Sequence, residues 1–257
     1  MEDKTKQDIP SFGQAHLARD VKIFNRAALF TTLHKIIFMK TMLLVIAASS
    51  LLQISACSQD NNKTKTKSSS EKHVGGNCEG CEAIYESPIP FEKLNAIDTL
   101  PDFNEAGQKI QISGIVYQAD GKTPAKDVVI YVYHTDQTGR YTPGPNAKGW
   151  EKRNGRIRGW MKTDKNGFYS FYTLKPIPYP NAKIAAHIHM VVKEPGKNEY
   201  YLDEYLFDDD PLLTEKERNM KFRGGNGILK LTAGKGMMQA TRNITLGLNV
   251  TDYPDGK

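Results

Sequence analysis

The chain has 257 residues, 39% of them hydrophobic, and a formal net charge of +6. This length is enough for one domain of ordinary size with a substantial core. Part of the positive charge lies in the N-terminal region, and no basic cluster interleaved with aromatic residues follows it, so the composition does not favour a nucleic-acid-binding protein.

The N-terminal region has the pattern of an exported lipoprotein. A short basic start at Met39-Lys40 precedes an apolar run from Met42 to Leu52, which is too short for a permanent membrane span. The next residues, Ile54-Ser55-Ala56-Cys57, resemble a bacterial lipobox, in which the cysteine is lipidated and becomes the mature N-terminus. An ordinary signal peptide followed by a chance cysteine is the alternative.

These patterns divide the chain into four parts. Ser58 to Lys72 is rich in Asn, Lys, Thr and Ser and has almost no apolar residues, so it cannot contribute to a packed core. The predicted parts are a non-native or extended leader at residues 1–38, a lipoprotein signal peptide at 39–56, a flexible tether at 57–77 and a folded domain at 78–257. A lipid on Cys57 would hold this domain at the cell envelope.

Cys78 and Cys81 are the remaining cysteines, in the sequence Cys-Glu-Gly-Cys. In an exported protein, a disulfide bond that closes such a short loop is the default expectation. A zinc site would need a second cysteine pair, and a redox motif would need a thioredoxin-like βαβ pattern; the chain has neither. We therefore predict a structural disulfide between Cys78 and Cys81.

The pattern of the domain predicts an all-β fold. Short segments rich in β-branched and aromatic residues alternate with turn signals, and Gly114 predicts a bulge in the first of them. The predicted strands are Lys109–Gln118, Val128–His134, Trp160–Thr163, Phe168–Thr173, His187–Lys193, Tyr200–Phe207, Ile228–Leu231 and Asn243–Val250. Thr214 and Glu217 form a capping-box pattern for one short helix. We predict a β-sandwich of eight or nine short strands, with long loops and at most one or two short helices.

His187 and His189 lie two residues apart in an apolar, strand-like run. Side chains at this spacing share one face of a strand, so two imidazoles would point in the same direction. Imidazole is the commonest protein ligand of Fe, Cu and Zn. A pair of packed core histidines is the alternative, and the spacing alone does not decide between the two. His134, at the end of an earlier strand, is interpreted as a packed residue.

Four groups of motifs follow one another along the domain. They are Gly139-Arg140-Tyr141; Thr163-Asp164 with Gly167-Phe168-Tyr169; Lys175-Pro176 with Pro178-Tyr179-Pro180; and Ala186-His187-Ile188-His189. In this order they resemble the intradiol ring-cleavage dioxygenases, the family of catechol and protocatechuate 3,4-dioxygenases. The likeness covers roughly residues 109–207, most of the folded domain.

The resemblance implies a metal centre and a reaction. It makes Tyr141, Tyr179, His187 and His189 the ligands of a non-haem Fe(III) ion, with Tyr179 and His189 axial. Two phenolate oxygens are hard anionic ligands that suit Fe(III). The implied reaction is cleavage of a catechol-type ring by O2 between the two hydroxyl-bearing carbons, which gives a muconate-type diacid. Tyr179 would also take part in catalysis.

The chain departs from this family near the histidines. Family members usually carry an arginine three residues before the first histidine, where this chain has Ile184, and a familiar glutamine on the next strand corresponds to Glu204. Arg156 or Arg158 could supply the missing cation, and we take Arg158 as the candidate catalytic arginine. A surface salt bridge is the alternative role for both. The sequence therefore does not identify the substrate.

Two other functions are compatible with the sequence. One is a lipid-anchored β-sandwich binding module without redox chemistry, and the other is a zinc or copper site on the same two histidines. If the resemblance holds, the partners are a small aromatic, catechol-type substrate and O2, together with the membrane through the lipid anchor. Family members commonly assemble into dimers or larger shells, so a homo-oligomer is also expected.

Overall fold

The protein is described from a computed structural model, which describes residues 73–254. The predicted leader, signal peptide, Cys57 and most of the tether lie outside these residues, and the lipid anchor stays a prediction. No helix within residues 73–254 is long and apolar enough to cross a membrane. Val74, which precedes the predicted domain boundary at residue 78, is 6% exposed and packs in the main core.

Eleven strands make up two sheets in the described part of the chain, which confirms the predicted all-β sandwich. The strands are β1 (Ile97–Thr99), β2 (Lys109–Tyr117), β3 (Val129–His134), β4 (Arg158–Lys162), β5 (Phe168–Leu174), β6 (His187–Lys193), β7 (Glu199–Phe207), β8 (Ile228–Leu229), β9 (Thr232–Ala233), β10 (Met238–Thr241) and β11 (Ile244–Thr245). The first sheet has the order β1-β5-β2-β10-β9, with β11 also paired to β2. The second sheet has the order β4-β3-β6-β7-β8.

Helical structure between residues 73 and 254 is limited to short segments. Cys81–Glu86 and Phe91–Lys93 are 3-10 helices, and the α-helices are α1 (Glu151–Asn154) and α2 (Glu215–Arg218). Thr214 and Glu217 form the predicted capping box at the start of α2, each side chain accepting a hydrogen bond from the backbone N–H of the other. Two short α-helices agree with the prediction.

The strands outnumber the eight or nine that the sequence predicts. The additional ones are β1, β9 and β10, which contain only three, two and four residues, too few to show clearly the alternation that marks a strand in sequence. The predicted bulge at Gly114 is wrong, since β2 pairs with β5 in unbroken register through this residue. A glycine is needed there because a Cβ would overlap the carbonyl oxygen of Arg242.

The main core lies between the two sheets. Along β2, every second residue points inward, and Ile110, Ile112 and Val116 are fully buried. A second cluster covers the outer face of the second sheet, where Tyr131 and Trp160 pack under the helix Cys81–Glu86. This covering layer leaves part of the outer face of β3 and β6 accessible, and the candidate site lies there.

Candidate metal centre

The two histidines stand at the start of β6 and project from the outer face of the second sheet. Ile188 and Met190, the alternate residues of this strand, are buried in the main core, whereas His187 and His189 are half-buried. The centroids of the two imidazole rings are 4.7 Å apart. The strand therefore directs both rings to one place, as its period of two requires.

The two tyrosines reach the histidines through their hydroxyl oxygens. Tyr141 Oη lies 2.8 Å from Tyr179 Oη and 2.9 Å from His189 Nε2. Tyr179 Oη lies 3.2 Å from His187 Nε2. The four predicted ligand atoms thus form one continuous chain of contacts, from His187 through Tyr179 and Tyr141 to His189. All four side chains are half-buried, so the cluster is partly accessible to solvent.

Each histidine has its second ring nitrogen beside an acceptor. His187 Nδ1 lies 2.8 Å from the carbonyl oxygen of Ala185, and His189 Nδ1 lies 3.4 Å from Glu204 Oε1. Because a carbonyl oxygen can only accept, His187 carries its proton on Nδ1 and presents the lone pair of Nε2 to the tyrosines. Outer acceptors that fix the ring in this way are typical of metal-binding histidines.

The protonation of the cluster depends on burial and on its neighbours. Burial raises the pKa of the Tyr141 hydroxyl, and the hydrogen bond with Tyr179 raises it further. Burial and the nearby His189 lower the pKa of His187, so its ring is neutral at pH 7. Burial disfavours the charged form of Glu204, but the hydrogen bond from His189 helps to outweigh it, and the pKa falls to about 2. A tyrosine in such surroundings ionises at neutral pH only beside a strong positive charge, such as a bound metal ion.

Asp136 shapes the loop that carries Tyr141. Its Oδ1 accepts hydrogen bonds from the backbone N–H groups of Thr138 and Arg140, at 2.8 and 3.2 Å. Its Oδ2 accepts a hydrogen bond from the hydroxyl of Thr142 at 2.5 Å. One carboxylate therefore holds the residues on both sides of Tyr141, which limits how far the phenol ring can move.

The two tyrosine-bearing segments are also fastened to each other. The hydroxyl of Thr135 donates a hydrogen bond to the carbonyl oxygen of Ile177 at 2.7 Å. Gly139 has a positive φ of 72° and lies so close to Pro178 that a Cβ would overlap the proline carbonyl oxygen. The distance between the two phenol oxygens is therefore set by backbone contacts rather than by the tyrosines alone.

Tyr133 belongs to the site although the sequence analysis did not single it out. Its ring stacks on His189, with centroids 4.6 Å apart and planes 20° apart. In the antiparallel pair of β3 and β6, Tyr133 lies directly opposite His189. The signal in the sequence is the alternation of β3, which places Tyr131 and Tyr133 on one face, but the partner across the sheet is visible only in the fold.

Arg158, the predicted catalytic arginine, does not join the cluster. Its guanidinium lies 2.8 Å from the carboxylate of Glu86 and 3.5 Å from that of Glu151, over the ring of Trp160. The charge is therefore compensated by two carboxylates on the segments that cover the sheet. The salt-bridge alternative is the one that the structure shows. Arg156 is likewise paired, 2.7 Å from Asp102.

Ile184 supplies no charge to the site. It precedes His187 in the loop that enters β6, and its side chain is 46% exposed. This position therefore presents an apolar side chain to solvent near the histidines.

Cys78 and Cys81 are joined by a disulfide bond in the structure. Cys81 is 2% exposed and packs in the cluster that contains Tyr131 and Trp160. The pair therefore holds the first segment of the domain against the outer face of the second sheet.

Within residues 73–254, no group of three or more His, Cys, Asp or Glu side chains is arranged to hold a metal ion.

His134 is packed apart from the cluster, as interpreted from the sequence. It is 1% exposed, and its Nδ1 and Nε2 lie 2.7 Å from the Thr135 carbonyl oxygen and from Thr173 Oγ1. Both ring nitrogens are therefore already used. Burial lowers the pKa of His134 to about 4.

The buried His134 predicts a loss of stability in acid. The unfolded chain takes up the proton near pH 6.5, whereas the folded state resists it down to about pH 4. The contribution of His134 to the free energy of unfolding is therefore fully present above pH 6.5. It decreases by roughly 3 kcal/mol as the pH falls toward 4. Urea unfolding of the metal-free protein across this range measures the effect. His134→Gln cannot titrate and should give a shallower dependence; identical pH profiles for the two proteins would contradict the prediction.

Two phenol groups and two imidazole groups meet on the outer face of this β-sandwich. This arrangement makes the protein a candidate metalloprotein. A family model described as a dioxygenase matches residues 87–220, more than half of the chain, and spans all four side chains. The protein therefore belongs to this family, that of the intradiol dioxygenases.

Individual relatives share part of the chain. Catechol 1,2-dioxygenase 2 of Acinetobacter lwoffii is 26% identical over an alignment 148 residues long, and the match covers 49% of this chain and 51% of that protein. The chain thus spans about half the length of this curated relative. Among solved structures, catechol 1,2-dioxygenase from Acinetobacter sp. ADP1 is similar at a TM-score of 0.45 and 17% identity, covering 59% of this chain and 56% of that one. The dioxygenase domain of a dioxygenase–carbohydrate-binding protein fusion from Streptomyces sp. SirexAA-E is similar at a TM-score of 0.43 and 18% identity. This match covers 55% of this chain and 80% of that one.

Proposed function

We propose that this protein is a non-haem Fe(III) intradiol dioxygenase. It would cleave a catechol-type aromatic ring with O2 between the two hydroxyl-bearing carbons and produce a muconate-type diacid. The observation that supports this function most strongly is the chain of contacts that joins two phenol oxygens to two imidazole nitrogens. Membership of the intradiol family supports the same reaction.

The donor set suits the proposed ion. Tyr141, Tyr179, His187 and His189 would hold the iron, since two phenolates and two neutral imidazoles combine hard anionic and nitrogen ligands. Bound Fe(III) would act as a Lewis acid that keeps the tyrosines ionised and withdraws electron density from a catechol. The contacts at the Nδ1 atoms leave both Nε2 lone pairs free to bind a cation.

Tyr179 would also act as a base in the proposed reaction. As a phenolate, its Oη would accept the proton of an incoming catechol hydroxyl. This oxygen lies within the cluster, 2.8 Å from Tyr141 Oη and 3.2 Å from His187 Nε2. Pro178 and Pro180 restrict the backbone on both sides of the tyrosine. Holding the Tyr179 ring in position therefore costs little conformational entropy.

His189 is held from two directions. Tyr133 stacks on one face of its ring, and Glu204 contacts its Nδ1. The stacked phenol ring also shields this side of the imidazole from water. Both contacts keep His189 Nε2 directed at Tyr141, so the site is formed before a substrate arrives.

Oxygen uptake tests the proposal. The iron-loaded full chain is expected to consume O2 in equimolar amounts with a catechol and to release a diacid. The metal-free protein should consume none, and Tyr85→Phe, which alters an exposed tyrosine outside the site, should behave like the wild type. If the iron-loaded protein takes up no oxygen with any catechol in a panel, the proposed enzymatic function is contradicted, whereas the proposed metal centre is not.

A further inference from the structure

Glu204 places a carboxylate beside the candidate metal centre. It lies on β7 next to β6, and its Oε1 is 3.4 Å from His189 Nδ1. Its side chain is 39% exposed and that of His189 is 26% exposed. A molecule that approaches the cluster from solvent therefore meets this carboxylate together with the histidine.

No lysine or arginine within residues 73–254 pairs with Glu204; its one ion-pair contact is His189. Two arginines of the neighbouring segments are paired with other carboxylates, Arg153 with Glu79 at 2.5 Å and Arg158 with Glu86 at 2.8 Å. The charge of Glu204 acts on His187 as well as on His189, and Glu217 adds a second carboxylate near His187. Glu204 therefore adds negative charge directly beside the histidines of the cluster.

We propose that the uncompensated carboxylate of Glu204 makes this site select catechols with a cationic ring substituent, such as an aminoalkyl group, over catechols with a carboxylate. This inference rests on the proposed function. The negative charge of Glu204 beside His189 would attract an ammonium group on the ring substituent and repel a carboxylate there. At a separation of about 8 Å and an effective dielectric constant of about 20, reduced by salt, the preference over a neutral catechol is about tenfold.

Binding without oxygen tests the selection separately from turnover. The iron-loaded full chain is titrated anaerobically with catechols that carry an aminomethyl, a methyl or a carboxyl group para to one hydroxyl, and the visible absorption is followed. Affinity should fall in that order, by about tenfold at each step. Added salt should narrow the differences, because the charges are partly exposed.

Two variants locate the effect. Glu204→Gln keeps the size of the side chain and removes its charge, so the ratio of cation to anion affinity should fall by about 100-fold, close to unity. Glu92→Gln removes the same charge from an exposed position in the 3-10 helix Phe91–Lys93, outside the site, and should preserve the wild-type ratio.

The outcomes separate the two proposals. Equal affinity for the three catechols in the wild type, or an unchanged ratio in Glu204→Gln, overturns the selection and leaves the dioxygenase proposal standing. If none of the three alters the spectrum of the iron-loaded protein, the selection and the dioxygenase proposal both fail.

Discussion

Tyr141→Phe is expected to lose most of its iron. Tyr141 Oη is the central atom of the cluster, 2.8 Å from Tyr179 Oη and 2.9 Å from His189 Nε2. Its removal deletes one of two hard anionic donors and breaks the chain of contacts. The affinity for iron should fall by more than the roughly 10–100-fold that the loss of an outer partner costs. Iron content after dialysis against a mild chelator, together with the visible absorption, measures the loss.

Tyr133→Phe is the matched control for this variant. It keeps the ring that stacks on His189 and removes a hydroxyl that is not among the four predicted ligand atoms. This protein should retain its iron and its visible band. Wild-type iron content and an unchanged band in Tyr141→Phe would show that Tyr141 is not a ligand.

Gly139→Ala is expected to weaken both the fold and the metal centre. The residue has a φ of 72°, and a Cβ would overlap the carbonyl oxygen of Pro178 and approach Pro180 Cδ at 3.1 Å. These prolines flank Tyr179, so the methyl group would push the two tyrosine-bearing segments apart. The left-handed backbone alone costs about 1 kcal/mol, and overlap with rigid backbone should bring the total to about 3 kcal/mol. Denaturant unfolding and iron content measure the two effects.

Gly196→Ala separates the two causes. Gly196 has a φ of 74°, but nothing lies within 4 Å of an added Cβ. This variant should lose about 1 kcal/mol of stability and keep its iron, since only the backbone conformation becomes less favourable. Equal losses of stability and of iron in the two variants would contradict the idea that the contact between Gly139 and Pro178 sets the spacing of the tyrosines.

The sequence was sufficient for the features that depend on local periodicity. The alternation along β2 predicts its buried face, and the spacing of His187 and His189 predicts two rings on one side of β6. The capping box at Thr214 and Glu217 predicts the start of α2, because its hydrogen bonds join residues three apart. The convergence of Tyr141 and Tyr179 on the histidines followed from the resemblance, since nothing local to either tyrosine points to the other.

The features that could not be predicted from the sequence depend on contacts between segments that are distant along the chain. The pairing of Arg158 with Glu86 depends on how the helix Cys81–Glu86 folds back over the sheet, so the sequence alone could not identify the partner of this arginine. Gly114 suggested a bulge because a strand glycine often marks one, whereas here it makes room for the backbone at Arg242. The stack of Tyr133 on His189 likewise requires the register between β3 and β6, which neither strand encodes alone.

The central claim is that two tyrosines and two histidines hold Fe(III) in this protein. The most direct measurement is the metal content and visible spectrum of the purified full chain after loading with iron. We expect about one Fe(III) per chain and a broad visible band from tyrosinate-to-iron charge transfer, which gives a burgundy colour. A colourless protein that fills the site with zinc or copper, or that binds no metal, would contradict it.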